Sequence, residues 1–136
     1  MNKIDKEKWK VITFYKNSFG KLYAISNHGR LSCFTKTPLD GSPVKGSLQE
    51  GYIIWRFRKL KKNGSYKYFG ILLHRLVAEN FLPPRQKGEN VVIHFNHKKA
   101  DNHYTNLAWA TTAEASAHAQ GSPRVKKARK LAAERG

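Results

Sequence analysis

The chain has 136 residues and a formal net charge of +17, because 26 Lys and Arg stand against 9 Asp and Glu. So large an excess repels itself in a folded protein, and a polyanion relieves the repulsion, so the composition favours a nucleic acid partner. No apolar run approaches the roughly 20 residues that span a bilayer, and the single cysteine, Cys33, excludes an intrachain disulfide framework and a multi-cysteine zinc site.

The first half of the chain, residues 9–69, has the composition of strands and turns. Residues 21–26 form a short β-prone run, residues 27–30 carry a turn signal, and residues 31–34 form a second run. The simplest interpretation is two antiparallel strands joined by a tight turn. The stretch 37–47 is rich in Pro, Gly, Asp and Ser, and it predicts a loop.

A second hairpin is predicted over residues 51–69, with Asn63 and Gly64 at its tip. Its basic residues alternate with aromatic ones, and such a ribbon is suited to lie along a phosphate backbone. The residues assigned to this contact are Arg56, Arg58, Lys59, Lys61 and Lys62. The alternative is a solvated edge hairpin whose lysines only prevent aggregation.

Helical spacing begins at residue 72 and ends at the Pro83-Pro84 pair, with an apolar stripe typical of core packing. A short strand at 91–93, a polar loop at 96–106 and a strand at 107–109 follow. A second helix is predicted to begin at Thr111 or Thr112 and to end near Gly121. The remaining basic tail is expected to order on DNA.

Residues able to do chemistry concentrate in one segment. Four of the six histidines fall between positions 94 and 118, interleaved with Asn96, Asp101, Asn102 and Asn106. Cleaving a phosphodiester requires a base that takes a proton from water, a cation that neutralises charge on the phosphate, and a polar group that orients the base. A strand, a loop and a helix in succession can supply all three.

Three blocks of this region resemble the HNH nucleases of phages and group I introns: residues 74–81 (HRLVAENF), 91–96 (VVIHFN) and 101–111 (DNHYTNLAWAT). Upstream, residues 9–12 and 23–32 resemble the small module that often precedes this nuclease domain in homing endonucleases. The most specific feature is a strand histidine with Asn-Leu-x-Trp beginning twelve residues later.

The resemblance implies an α+β fold in three parts. A β-rich, DNA-binding module would occupy residues 1–70, a ββα-metal nuclease unit residues 71–121, and a basic tail residues 122–136. It also implies a metal-dependent DNA endonuclease of phage type that leaves 5′-phosphate and 3′-hydroxyl ends. One active site per unit implies that a monomer nicks one strand at each encounter.

The same resemblance assigns roles to individual residues. His94, at the end of a strand, stands where the general base stands, and Asn106 stands where an asparagine braces the loop and orients that base. The usual metal ligands are missing, since Ile93 precedes the histidine where relatives have Asp or Asn. Ala115 follows Glu114 where relatives have Asn.

Other residues are therefore expected to hold the metal. His118 lies three residues beyond Ala115 on nearly the same helix face, and it is the leading substitute. His94 itself and Asn96 complete the predicted ligand set, with His97 as a nearby alternative. The expected ion is Mg²⁺ or Mn²⁺, although an imidazole-rich site shifts the preference toward Mn²⁺, Ni²⁺ or Zn²⁺.

The expected partner is double-stranded DNA, bound by a monomer or weak dimer in the cytoplasm, with no membrane involved. The residues assigned to DNA contact are Arg30, Arg56, Arg58, Lys59, Lys61, Lys62, His74, Arg75, Lys98, Lys99, Arg124, Lys126 and Lys127. A DNA-binding protein that has lost cleavage is the rival hypothesis, supported by Ile93 and Ala115. An RNA-binding protein of ribosomal type is a third, but it gives no reason for the His94–Asn106 spacing.

Overall fold

A computed structural model describes residues 6–17 and 19–121 of the chain. Within these residues the chain forms nine strands and two helices, which confirms the α+β class. The strands are β1 (Trp9–Lys16), β2 (Leu22–Ser26), β3 (Leu31–Phe34), β4 (Ser42–Val44), β5 (Ser47–Gln49), β6 (Tyr52–Leu60), β7 (Tyr66–Leu72), β8 (Val91–His94) and β9 (Leu107–Ala110), and the helices are α1 (Leu73–Phe81) and α2 (Thr112–Gln120).

The strands form three antiparallel sheets, in the orders β1-β2-β3-β4, β5-β6-β7 and β8-β9. The predicted β2–β3 hairpin is confirmed, with Leu22 opposite Phe34 and Ile25 opposite Leu31. The loop predicted at 37–47 is wrong in part, because a 3₁₀ turn at Pro38–Asp40 leads into β4. Pro43 is tolerated in β4 because that strand lies at the edge of its sheet.

The β6–β7 hairpin is confirmed and gives the second sheet two different faces. Side chains alternate across a strand, so Trp55 and Phe57 lie on one face while Arg56 and Arg58 lie on the other. The aromatic face packs against β1, where the ring centroid of Tyr15 is 4.4 Å from that of Phe57. The arginine face is exposed.

Helix α1 supplies the centre of the hydrophobic core. Its predicted stripe is buried, with Leu73, Leu76 and Val77 between 0% and 4% exposed. These side chains pack in one cluster with residues of three sheets, which are Ile12, Ile25, Leu31, Trp55 and Leu107. The core is thus continuous across the predicted boundary at residue 70, and the division into modules stays a prediction.

Strands β8 and β9 pair antiparallel and α2 follows directly, so this segment has the strand–loop–strand–helix order. Helix α2 begins after Thr111, whose side chain accepts from the backbone N–H of Glu114 while the Glu114 carboxylate accepts from the Thr111 N–H. This capping box confirms the predicted helix start. The basic tail, including Arg124, Lys126 and Lys127, lies outside the described residues, and among those described no helix is long and apolar enough to cross a membrane.

An ion pair ties the start of the described chain to the β2–β3 hairpin. The Arg30 guanidinium donates to both carboxylate oxygens of Glu7, and this contact holds the pKa of Glu7 below its usual value. A depressed pKa means that the pair stabilises the fold above the unfolded-state pKa of Glu and that this stability is lost as the pH falls through the folded-state value.

We therefore expect Arg30→Gln to lower the free energy of unfolding by about 1 kcal/mol or less at pH 7. The difference between wild type and variant should shrink as the pH falls below 4.5. Urea unfolding of both proteins at pH 7 and pH 3 measures it. A difference that stays constant over this range would contradict the assignment.

Candidate active site

His94 ends strand β8, and its imidazole is almost buried, with 6% of the residue exposed. Its Nε2 lies 2.8 Å from the side-chain oxygen of Asn102. Because an amide oxygen can only accept, Nε2 carries the proton in this pair and the neutral ring has its lone pair on Nδ1. The contact fixes both the orientation and the tautomer of the ring.

The surroundings of His94 favour its neutral form. Burial lowers the pKa of His94, and electrostatic interaction with His118 and Lys99 lowers it further, whereas the Asn102 hydrogen bond and the charge of Asp101 act in the opposite direction. Burial dominates, so the pKa lies below the ordinary value of 6.5. A neutral imidazole at physiological pH is able to accept a proton.

Asn106 braces the loop that follows His94. Its side-chain oxygen accepts from the backbone N–H of Asn96 at 3.1 Å, and its Nδ2 donates to the Asn96 side-chain oxygen and to the Asp101 carbonyl, each at 2.9 Å. These contacts close the loop from 96 to 101 onto the start of β9. The imidazole of His94 contacts Asn102, not Asn106.

The side chain of Asn96 is used within the same loop. Its oxygen also accepts from the backbone N–H of Lys98 at 2.9 Å, and its Nδ2 donates to Asp101 at 2.7 Å. The following residue, His97, has a positive φ of 61°, which is uncommon for a residue other than glycine. The loop therefore turns sharply directly after Asn96.

His118 projects from α2 toward the end of β8. Its Nε2 donates to the backbone carbonyl of His94 at 2.7 Å, and its ring stacks on that of His97 with centroids 4.1 Å apart. The structure therefore brings His94, His97 and His118 to one place. Ile93 and Ala115 line the cleft beside them and offer no ligand atom.

Two side chains from other elements complete the surroundings of His94. The ring of His74, on α1, lies 4.9 Å from that of His94, and the ring of Tyr52, on β6, lies 5.1 Å from that of His74. Burial lowers the pKa of His74 to about 4, so this ring is neutral at pH 7. Sequence reasoning missed Tyr52 entirely, since no motif links it to a histidine 42 positions later.

These groups open onto a cleft of about 860 Å³ with basic residues at its edge, among them Arg75, Lys98 and Lys99. The ammonium of Lys99 lies 4.8 Å from the centroid of the Tyr52 ring and donates to the Glu50 carbonyl. The cleft therefore combines a neutral imidazole with fixed positive charge. That combination suits a phosphodiester, which is anionic and is cleaved by a base-activated water.

Comparison with known proteins agrees with this chemistry. Residues 72–117, which include His74, His94 and His97 of the cleft, match the HNH endonuclease family. Residues 72–117 therefore form an HNH endonuclease domain. An uncharacterized HNH endonuclease of Acanthamoeba polyphaga mimivirus is 34% identical over 112 residues, and the match covers 82% of this chain and 29% of the viral protein.

A solved structure is similar over most of this HNH protein. That solved structure is one of DNA binding and cleavage by the HNH homing endonuclease I-HmuI. It superposes on this chain with a TM-score of 0.57, and the two sequences are 30% identical. The similarity covers 92% of this chain and 66% of that one. The chain thus spans less than a third of the viral relative and about two thirds of I-HmuI.

The remaining residues predicted to contact DNA lie at three places on the described surface. Arg56, Arg58, Lys59, Lys61 and Lys62 are exposed on the β6–β7 hairpin, where the Arg58 guanidinium lies 4.0 Å from the Tyr66 ring centroid. Beside the cleft, the Arg75 guanidinium pairs with Glu79 and donates to the Asn90 carbonyl. Arg30 is exposed on the turn, paired with Glu7.

HNH nucleases generally use divalent metal ions. Among residues 6–17 and 19–121, no group of three or more His, Cys, Asp or Glu side chains is placed to hold an ion. The nearest donors are the imidazoles of His97 and His118 and the carbonyl oxygen of His94. Imidazole nitrogens are ligands that the later divalent metals accept, but His118 Nε2 and the His94 carbonyl are bonded to each other in this arrangement.

Proposed function

We propose that this protein is a divalent-metal-dependent DNA endonuclease that hydrolyses phosphodiester bonds with His94 as its general base. The observation that carries the proposal is the 2.8 Å contact between His94 Nε2 and Asn102, made by an imidazole that lines a basic cleft. The substrate proposed is double-stranded DNA, by analogy with the DNA cleavage described for I-HmuI. Fold similarity alone would not carry it.

In the proposed reaction, Nδ1 of His94 takes a proton from a water molecule as the water oxygen bonds to phosphorus. The bond between phosphorus and the 3′ oxygen then breaks, and the leaving oxygen takes a proton from solvent, which gives 5′-phosphate and 3′-hydroxyl ends. Arg75, Lys98 and Lys99 hold the phosphate at the cleft. Asn106 keeps the loop closed, and His74 keeps the wall beside His94 uncharged.

The metal is proposed to sit near His118, with the His94 carbonyl and His97 beside it. A bound divalent cation would supply charge neutralisation at the phosphate. To act as a ligand, His118 Nε2 would give up the N–H that it now donates to the His94 carbonyl, and the neutral ring would carry its proton on Nδ1. The Asn96 side chain is a weaker candidate ligand, since its oxygen already accepts two N–H groups and its nitrogen donates to Asp101.

His118→Ala is expected to weaken Mn²⁺ or Ni²⁺ binding to the DNA-free protein by about 10-fold or more, because an imidazole ligand is removed. Isothermal titration with each ion measures this directly. Ser116→Ala, on the exposed part of the same helix, is the matched control and should leave binding unchanged. Unchanged affinity in His118→Ala would remove His118 from the ligand set.

The experiment that tests the proposed function is nicking of supercoiled plasmid in Mg²⁺, Mn²⁺, Ni²⁺ or Zn²⁺, with a chelator as control. Conversion to open circles that requires metal is the expected result, because one active site cuts one strand at each encounter. DNA binding without nicking in every metal would instead support a DNA-binding protein that has lost cleavage. The absence of a ligand at Ile93 and Ala115 is what favours that second candidate.

A further inference from the structure

The turn between β2 and β3, residues 27–30, packs against the segment that carries Asn102. The backbone N–H of Tyr104 donates to the Asn27 carbonyl at 2.9 Å, and the ring of His28 stacks on that of His103 at 4.6 Å. Asn102 thus lies beside a surface formed by the N-terminal sheet, although its side chain hydrogen-bonds to His94.

Gly29 makes the closest approach in this interface. Its φ is +82°, and a Cβ built on it would lie 2.7 Å from the carbonyl oxygen of Asn102 and 2.9 Å from its Cβ. Contacts below 3.0 Å with a backbone are not relieved by a rotamer change, so any side chain at 29 would displace Asn102 itself. Gly20 has a similar φ of +77°, but nothing lies within 4 Å of its added Cβ.

Asn102 depends on this packing for its position. The residue is 3% exposed, and within the described part of the chain its Nδ2 has no hydrogen-bond partner, so only its oxygen is tied, to His94. The backbone on either side is held instead, with the Asp101 carbonyl accepting from Asn106 and the Tyr104 N–H donating to Asn27. The turn is therefore one of the supports of the segment.

We infer that the β2–β3 turn is a positioning element for the active site, in which Gly29 and Asn27 set Asn102 and Asn102 sets the imidazole of His94. The inference rests on the proposed function, and it assigns the N-terminal sheet a role in the rate of cleavage besides any role in binding. A misplacement of about 1 Å at a base is enough to slow a reaction by about 100-fold.

A double-mutant cycle tests this coupling. Gly29→Ala is expected to lower the maximal single-turnover nicking rate about 10-fold to 100-fold while the half-saturating protein concentration stays within about twofold. In an Asn102→Ala background the same change should cost little, because the group through which it acts is already gone. Gly20→Ala, with the same backbone strain and no clash, should nick like wild type.

Additive effects of Gly29→Ala and Asn102→Ala, or an equal loss in Gly20→Ala, would overturn the inference. Should Gly29→Ala not fold, His28→Ala replaces it in the same cycle, since it trims the turn without backbone strain. The ¹⁵N shifts of the His94 imidazole, recorded without metal or DNA, give a second readout. They should move in Gly29→Ala and not in Gly20→Ala even if wild type proves unable to nick, which separates failure of this inference from failure of the proposed function.

Discussion

Replacing His94 with alanine is expected to reduce plasmid nicking by about 10²–10⁴-fold, the usual cost of removing a general base. DNA binding should change little, because the imidazole is almost buried and carries no charge at neutral pH. Single-turnover nicking and an electrophoretic binding titration on the same preparation measure the two quantities. Loss of binding in parallel with loss of nicking would indicate a structural role.

A buried histidine also contributes to packing, so a control for collapse of the site is required. His94→Gly leaves a hole in which free imidazole can take the place of the missing ring next to Asn102. Added imidazole is therefore expected to restore part of the nicking rate in His94→Gly. Rescue that fails although the variant keeps its melting temperature and DNA affinity would argue against proton transfer at this position.

The second large effect is expected on the arginine face of the β6–β7 hairpin. Arg56 and Arg58 point away from the core and lie beside a groove of about 700 Å³ lined by Gln49, Tyr68 and Phe69. If both arginines bind phosphates, Arg56→Gln with Arg58→Gln should lower affinity and flatten the dependence of log K on log salt by about 0.9 for each phosphate that is no longer neutralised.

A matched pair of substitutions distinguishes this surface from a general decrease in charge. Lys21 and Lys36 are exposed and lie at the end of the β2–β3 hairpin far from its turn, and hence far from the segment around Asn102. Neutralising both of these lysines removes the same formal charge. Binding titrations at several salt concentrations should then give a slope close to that of wild type, whereas equal slopes in the two double variants would show that the hairpin is no special contact surface.

Most of the helices, strands and turns could be predicted from the sequence, because local structure depends largely on residues that are near each other in the chain. The apolar stripe of α1 faces the core as predicted, the Asn63-Gly64 hairpin forms, and the Thr111–Glu114 box starts α2. The prediction for the 37–47 stretch failed for a related reason. Its Pro and Gly content predicts a loop. A strand at the edge of a sheet uses only some of its backbone N–H groups, so it tolerates a proline. Residues 42–44 form such a strand because β3 has a free edge with which they pair.

A resemblance to a family motif singled out His94 and Asn106, because the motif spans a strand–loop–strand unit whose parts are adjacent in the chain, and their roles stay predictions. What the sequence by itself determined was thus a basic α+β chain with a candidate base at the end of a strand. Only the tertiary structure decided what surrounds that base. Tyr52 and His74 lie beside it on two separate elements, and the turn at Gly29 packs against Asn102, which hydrogen-bonds to it. Such contacts arise from packing around a shared core, which no sequence spacing records.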